Sequence, residues 1–167
     1  MKTNNKIWRI YQRLFYNLVE PVFQNHIYLK NNTITLNKSI YNIGLSDSET
    51  SLSIGTPNNK SNDTGLYSKF HNSNLVTIPC KKFDDVFFDE KNIDLIKIDV
   101  EGMELDVLYS AKKSLIKFKP ILYFEINKTI INDYDKISTF LTSLGYEEFA
   151  NDYFKIDHTL LKYDVIW

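Results

Sequence analysis

Two carboxylates, Asp99 and Glu101, stand one residue apart at the end of a short apolar run, in Ile93-Asp94-Leu95-Ile96-Lys97-Ile98-Asp99-Val100-Glu101-Gly102-Met103-Glu104. Acids in that arrangement can take a proton from a hydroxyl, hold an amino group, or bind a metal ion. The run before them has the length and apolar character of a buried strand. A glycine and then a helical pattern follow. In open α/β sheets, ligands bind outside the carboxyl ends of the strands, so the acids are expected at a pocket edge. A local reading competes: Asp99 or Glu101 caps the helix starting near Met103, and Gly102 supplies backbone freedom. The two roles are compatible. Metal ligation has less support, because no third ligand is evident and His26, His71 and His158 lack ligand spacing. The metal expectation is therefore none.

The elements that must position these acids read as alternating strands and helices. Residues 7–20 have helical spacing, although Phe15 to Val19 also suits a short strand ending at Glu20-Pro21. The first 18 residues are expected to form an atypical N-terminal helix, and residues 22–37 a helix with one buried stripe. Ser39 to Leu45 reads as a strand, Ser46-Asp47-Ser48 as a turn and Ser51 to Ile54 as an edge strand. Residues 55–74, rich in Asn and Ser, are expected to be a mobile loop. Leu75 to Ile78 is a predicted strand, Lys82 to Phe88 a short helix and Ile93 to Asp99 a central, nearly fully buried strand. One long helix is expected over 104–118, then a strand from Ile121 to Ile126 with Glu125 near its end. A helix over 131–144 is closed by Gly145, and residues 146–167 form a closing hairpin. Such alternation implies a mostly parallel sheet covered on both faces, with the hairpin added antiparallel.

Bulk properties bound the rest. A chain of 167 residues is most simply one domain. With 43% hydrophobic residues and a net charge of -1, it has material for a core and no charge excess to attract nucleic acid or an anionic membrane. Cys80 is the sole cysteine, so no internal disulfide forms and a cytoplasmic, reducing setting is the default. No apolar run approaches the ~20 residues of a bilayer span. Nothing in the composition sets an oligomeric state.

Three segments, in order and spacing, resemble the FkbM-type S-adenosylmethionine-dependent methyltransferases. Val19-Glu20-Pro21, with Leu29-Lys30-Asn31-Asn32 and Leu36-Asn37 downstream, is similar to the family's second strand and the helix after it. Gly44-Leu45-Ser46-Asp47 is similar to the end of its third strand. Asp94 to Glu104, continuing through Val107-Leu108, Ala111, Leu115 and Lys119-Pro120 to Phe124-Glu125, carries the most specific likeness. The resemblance implies a Rossmann-like methyltransferase sheet and S-adenosylmethionine as cofactor. It also implies O-methylation of a small-molecule or glycan hydroxyl, in a sugar or a secondary metabolite. It places Glu20 on the ribose, Ser46 and Asp47 on the adenine, and Asp99 and Glu101 near the transfer centre. Glu125 is a weaker candidate.

The chain departs from the family at its front. The family opens with a strand and a glycine-rich loop that lets the backbone approach the cofactor. Here the first glycine is Gly44, and the 19 residues before Glu20 hold no GxG and no acid. The first strand and glycine-rich loop are therefore expected to be missing, and this chain alone to bind the cofactor weakly or not at all. The runner-up is a non-catalytic module that keeps the fold as a binding or interaction surface.

Overall fold

In a computed structural model, the described residues are 15–33, 37–56, 73–127, 134–148, 150–156 and 159–166. The chain divides into two compact units, with the boundary between Gly44 and Leu45.

The first unit is a strand–helix–strand. β1 (Phe15–Val19) pairs in parallel with β2 (Asn37–Tyr41), from Phe15 opposite Asn37 to Val19 opposite Tyr41. The strand alternative for Phe15 to Val19 is thus the one adopted. The expected N-terminal helix fails at residues 15–18, and its first 14 residues lie outside those described. β1 stops short of Pro21, which has no N–H with which to continue the ladder. α1 (Phe23–Asn32) supplies the crossover that a parallel pair requires. It is shorter than the helix expected over 22–37, and it buries no residue; only Val22 beside it is buried. Its end is tied by the Thr33 hydroxyl, which donates to the Leu29 carbonyl at 2.6 Å.

The second unit holds two sheets. β5 (Ser73–Lys81) lies between β3 (Gly44–Leu45) and β4 (Thr50–Thr56), so β4 is an edge strand as expected. The single strand foreseen over Ser39 to Leu45 is divided between β2 and β3. The loop foreseen over 55–74 falls largely on residues 57–72, outside those described. The other sheet runs β6 (Leu95–Ile98), β7 (Ile121–Asn127), β9 (Thr159–Ile166), β8 (Ala150–Ile156). β6 and β7 are parallel, while β9 pairs antiparallel with both β7 and β8. The closing hairpin therefore joins the sheet antiparallel, as expected, and the fold is mixed α/β.

β6 corrects one expectation. It is the outermost strand of its sheet, and no strand among the described residues covers its outer edge. Ile98 is buried, but Leu95 is 59% exposed. An apolar run reports what a strand is made of, not how many neighbours it has.

Among its described residues this unit packs four helices: α2 (Phe83–Phe87), α3 (Glu104–Ser110), α4 (Lys112–Phe118) and α5 (Tyr134–Ser143). Leu108 and Leu115 are fully buried, as are Leu122 and Phe124 of β7 and Ile137 and Leu141 of α5. Each such side chain is worth roughly 1.5–3 kcal/mol of burial. The helix expected over 104–118 is broken at Ala111. The Ser110 hydroxyl donates to the Val107 carbonyl at 2.7 Å and accepts the Phe83 N–H at 3.1 Å. Side-chain bonding back into the preceding turn competes with helix continuation. Asp84 then caps the restarted helix, its two oxygens accepting the N–H groups of Lys113 and Ser114 at 2.8 Å each. A carboxylate there satisfies orphan donors and complements the helix dipole.

Gly145 closes α5 as expected. At φ +80 it lets its own N–H reach the Thr142 carbonyl at 2.9 Å and the Tyr146 N–H reach Leu141 at 3.0 Å, a Schellman closure. A Cβ there would meet only Lys119 Nζ at 3.7 Å. Gly145→Ala is thus expected to cost about 1 kcal/mol from backbone strain alone. Thermal unfolding should shift down by roughly 2–4 °C. An unchanged melt would mean that the turn relaxes without cost.

Candidate functional site

β6 delivers Asp99 immediately beyond its last residue, Ile98, as the sequence suggests. The Asp99 carboxylate lies 3.3 Å from Lys97 Nζ, and both side chains face solvent at 48% and 60% exposure. An ion pair that open contributes little to stability, so Asp99 is available for other work. Beyond it the chain turns through two successive left-handed residues, Glu101 at φ 44 and Gly102 at φ 98. Glycine takes such geometry freely, whereas a glutamate does so at a cost, and strained backbone of this kind concentrates at functional sites. The turn swings the chain from the strand end into α3 within five residues.

Glu104 closes that turn from behind. Its Oε1 accepts the Gly102 N–H at 3.2 Å, while its Oε2 is buried with no hydrogen-bond partner. The residue is 2% exposed. Desolvation pushes its acid above the ordinary carboxylate range, and the nearby Glu101 charge adds to that; the backbone N–H groups around it oppose. Neither Asp99 nor Glu101 is the N-cap residue of α3. That position is Met103, whose side chain makes no capping bond. Sequence reasoning passed over Glu104 because an acid in a first helical turn is ordinarily a solvated partner of the helix dipole. The available signal was the third acid of one short run, at positions 99, 101 and 104.

Glu20 lies in the first unit, at the carboxyl end of β1, where the ribose role requires an acid. Its Oε1 accepts the Val22 N–H at 2.9 Å, and its own N–H donates to the Tyr41 carbonyl at 3.0 Å. The Asn42 amide donates to the carbonyls of Glu20 and Pro21 at 2.9 and 3.0 Å, so both sides of the strand end are pinned. Burial raises the acid's pKa; hydrogen bonds from Val22 and Asn25 and the attraction of His26 work against that shift. The result is a half-buried carboxyl fixed in direction. A carboxylate offers about four acceptor positions, so the Val22 bond leaves capacity for a diol.

Ser46 and Asp47 follow β3 in the second unit. The Ser46 N–H donates to the Lys81 carbonyl at 3.0 Å, tying the strand end to β5. Ser46 is buried, and its hydroxyl is 3.5 Å from the exposed Asp47 carboxylate. The two residues are thus together, Asp47 outward and Ser46 inward. Glu125 lies in β7 opposite Asp164 of β9. Among the described residues no group of three His, Cys, Asp or Glu is placed to hold a metal ion, and no helix is long and apolar enough to cross a membrane. Cys80 is a buried thiol in β5.

The model of the family described as Methyltransferase FkbM domain matches residues 3–148. No curated protein sequence matches the chain. Among solved structures, Methyltransferase FkbM from Methylobacillus flagellatus KT superposes with a TM-score of 0.56 at 14% sequence identity. The likeness covers 93% of this chain and 36% of that one, so the chain spans about a third of the solved protein's length. At that identity the likeness is one of fold.

Proposed function

Because this chain belongs to the FkbM methyltransferase domain family, we propose that it serves O-methylation of a sugar or secondary-metabolite hydroxyl from S-adenosylmethionine, in a reducing cytoplasm. The observation that carries this reading is the acid turn after β6. There an exposed carboxylate, Asp99, and a left-handed Glu101 stand at a strand end, backed by a buried acid.

The donor types suit the cofactor's polar groups. Glu20, oriented by the Val22 N–H, accepts hydrogen bonds from the ribose hydroxyls, as a strand-end acid does in other nucleotide-binding sheets. Ser46 and Asp47 meet the polar edge of the adenine. When bound, S-adenosylmethionine supplies an electrophilic methyl on a sulfonium. Asp99 and Glu101 would hold the acceptor hydroxyl in line with that methyl, and one of them would take its proton as the C–O bond forms and the methyl–sulfur bond breaks, with S-adenosylhomocysteine as the leaving group. Alignment matters most, since an in-line displacement tolerates little misplacement of the attacking oxygen.

Calorimetric titration with S-adenosylhomocysteine tests the reading. Residues 1–19 hold no glycine, and that segment offers no close backbone approach to the cofactor. Saturable binding weaker than micromolar is therefore expected. Absence of any binding at millimolar ligand would overturn the proposal for this chain. Micromolar or tighter binding would show that another segment does the work of a glycine loop.

A further inference from the structure

We propose that Glu104 is the positioning residue of the acid turn. By accepting the Gly102 N–H, its carboxyl fixes the left-handed Glu101–Gly102 pair, and with it the direction in which Asp99 and Glu101 leave the end of β6. This deepens, and rests on, the methyl-transfer reading above.

Burying Glu104 has a cost. An acid that is 2% exposed, with Oε2 buried and unpartnered, gives up hydration at one oxygen and receives no bond for it. Packing alone would be served as well by an apolar side chain of the same length. What an apolar side chain cannot supply is an acceptor for the Gly102 N–H. That N–H belongs to the second of two left-handed residues, and the first is a glutamate, which does not hold this geometry unaided. The acceptor sits where the turn has to be held, on the first residue of α3. Helix and strand end are thereby locked to one another at the residue between them.

Charge on Glu104 is not what the turn needs. A neutral acid still offers the Gly102 N–H an acceptor oxygen. Burial, with the neighbouring Glu101 charge, favours that neutral form. Glutamine, which has the same shape and no charge, keeps one acceptor oxygen for the Gly102 N–H. Methionine keeps the volume and loses the acceptor.

The chain has five glycines, so glycine-selective 15N labelling of the full chain isolates the Gly102 amide for hydrogen exchange. In Glu104→Gln, Gly102 exchange is expected to stay within about threefold of wild type. In Glu104→Met it should accelerate about tenfold, the scale of one lost hydrogen bond. The Gly145 amide, bonded to Thr142 at 2.9 Å, is the internal reference for global stability. Glu104→Asp, one methylene short of the turn, should behave like Met and decides the matter if Met does not fold. Wild-type Gly102 protection in the Met or Asp variant would overturn the proposal. So would a Gln variant that loses Gly102 protection as fully as Met while Gly145 holds. S-adenosylhomocysteine titrations on the same proteins separate the two readings. Wild type that fails to bind removes the methyl-transfer reading, whereas the exchange rates still decide the role of Glu104.

Discussion

Asp99→Asn is expected to lower methyl transfer by roughly 10²–10⁴-fold, the range lost with a general base, while S-adenosylhomocysteine affinity stays within a few-fold. The substitution keeps the side chain's shape and removes its ability to accept a proton at neutral pH. It also breaks the pair with Lys97, but that pair is solvent-exposed on both sides and contributes at most about 1 kcal/mol. The fold should therefore survive, and the melting temperature with it. Rate and affinity must separate: an interaction made only as the proton leaves changes turnover without changing binding. Measured with S-adenosylmethionine and a hydroxyl acceptor, equal and small losses in both quantities would mean that Asp99 is a surface residue.

Glu20→Ala is expected to do the opposite, weakening S-adenosylhomocysteine at least tenfold. Hydrogen bonds to a charged acceptor contribute about 1.5–3 kcal/mol, which corresponds to roughly ten- to a hundredfold in affinity. The carboxyl is already held by the Val22 N–H, so little ordering remains to be done when a ribose arrives. Removing it also strands that N–H. Glu20→Gln is the control, because it retains an acceptor for Val22 and lacks the charge. If charge on the ribose is what matters, both variants bind weakly; if only the turn matters, Gln matches wild type. Unchanged affinity in both would remove Glu20 from the cofactor site.

Local pattern was legible in the sequence and long-range pairing was not. Leu75 to Ile78 and Ile121 to Ile126 read as strands because their composition suits a pleated, half-buried surface, and strands stand there, whereas helical spacing at residues 7–18 hid the strand that begins at Phe15. Gly145 was legible for a stronger reason, since only a positive φ closes that helix cheaply. The break at Ala111 was hidden because Leu108, Ala111 and Leu115 keep helical phase across it. Its causes, Ser110 reaching Phe83 and Asp84 capping the restart, connect residues 27 to 30 positions apart. The edge position of β6 was hidden for the same reason, because apolar periodicity carries no count of neighbouring strands. The strand-end positions of Glu20 and Asp99 were readable. The burial of Glu104 was not, because a glutamate at the start of a helix looks the same in sequence whether it is solvated or sealed.

The acid turn after β6 is the transfer centre in this reading, so the cofactor must arrive there. The most direct measurement is the 15N–1H correlation spectrum of the glycine-labelled chain during titration with S-adenosylmethionine. Gly102, between Glu101 and the Glu104 clamp, should move progressively and saturate with the calorimetric affinity, while Gly145, at the end of α5, stays in place. A Gly102 resonance that remains fixed at saturating S-adenosylmethionine would contradict the placement of methyl transfer at this turn.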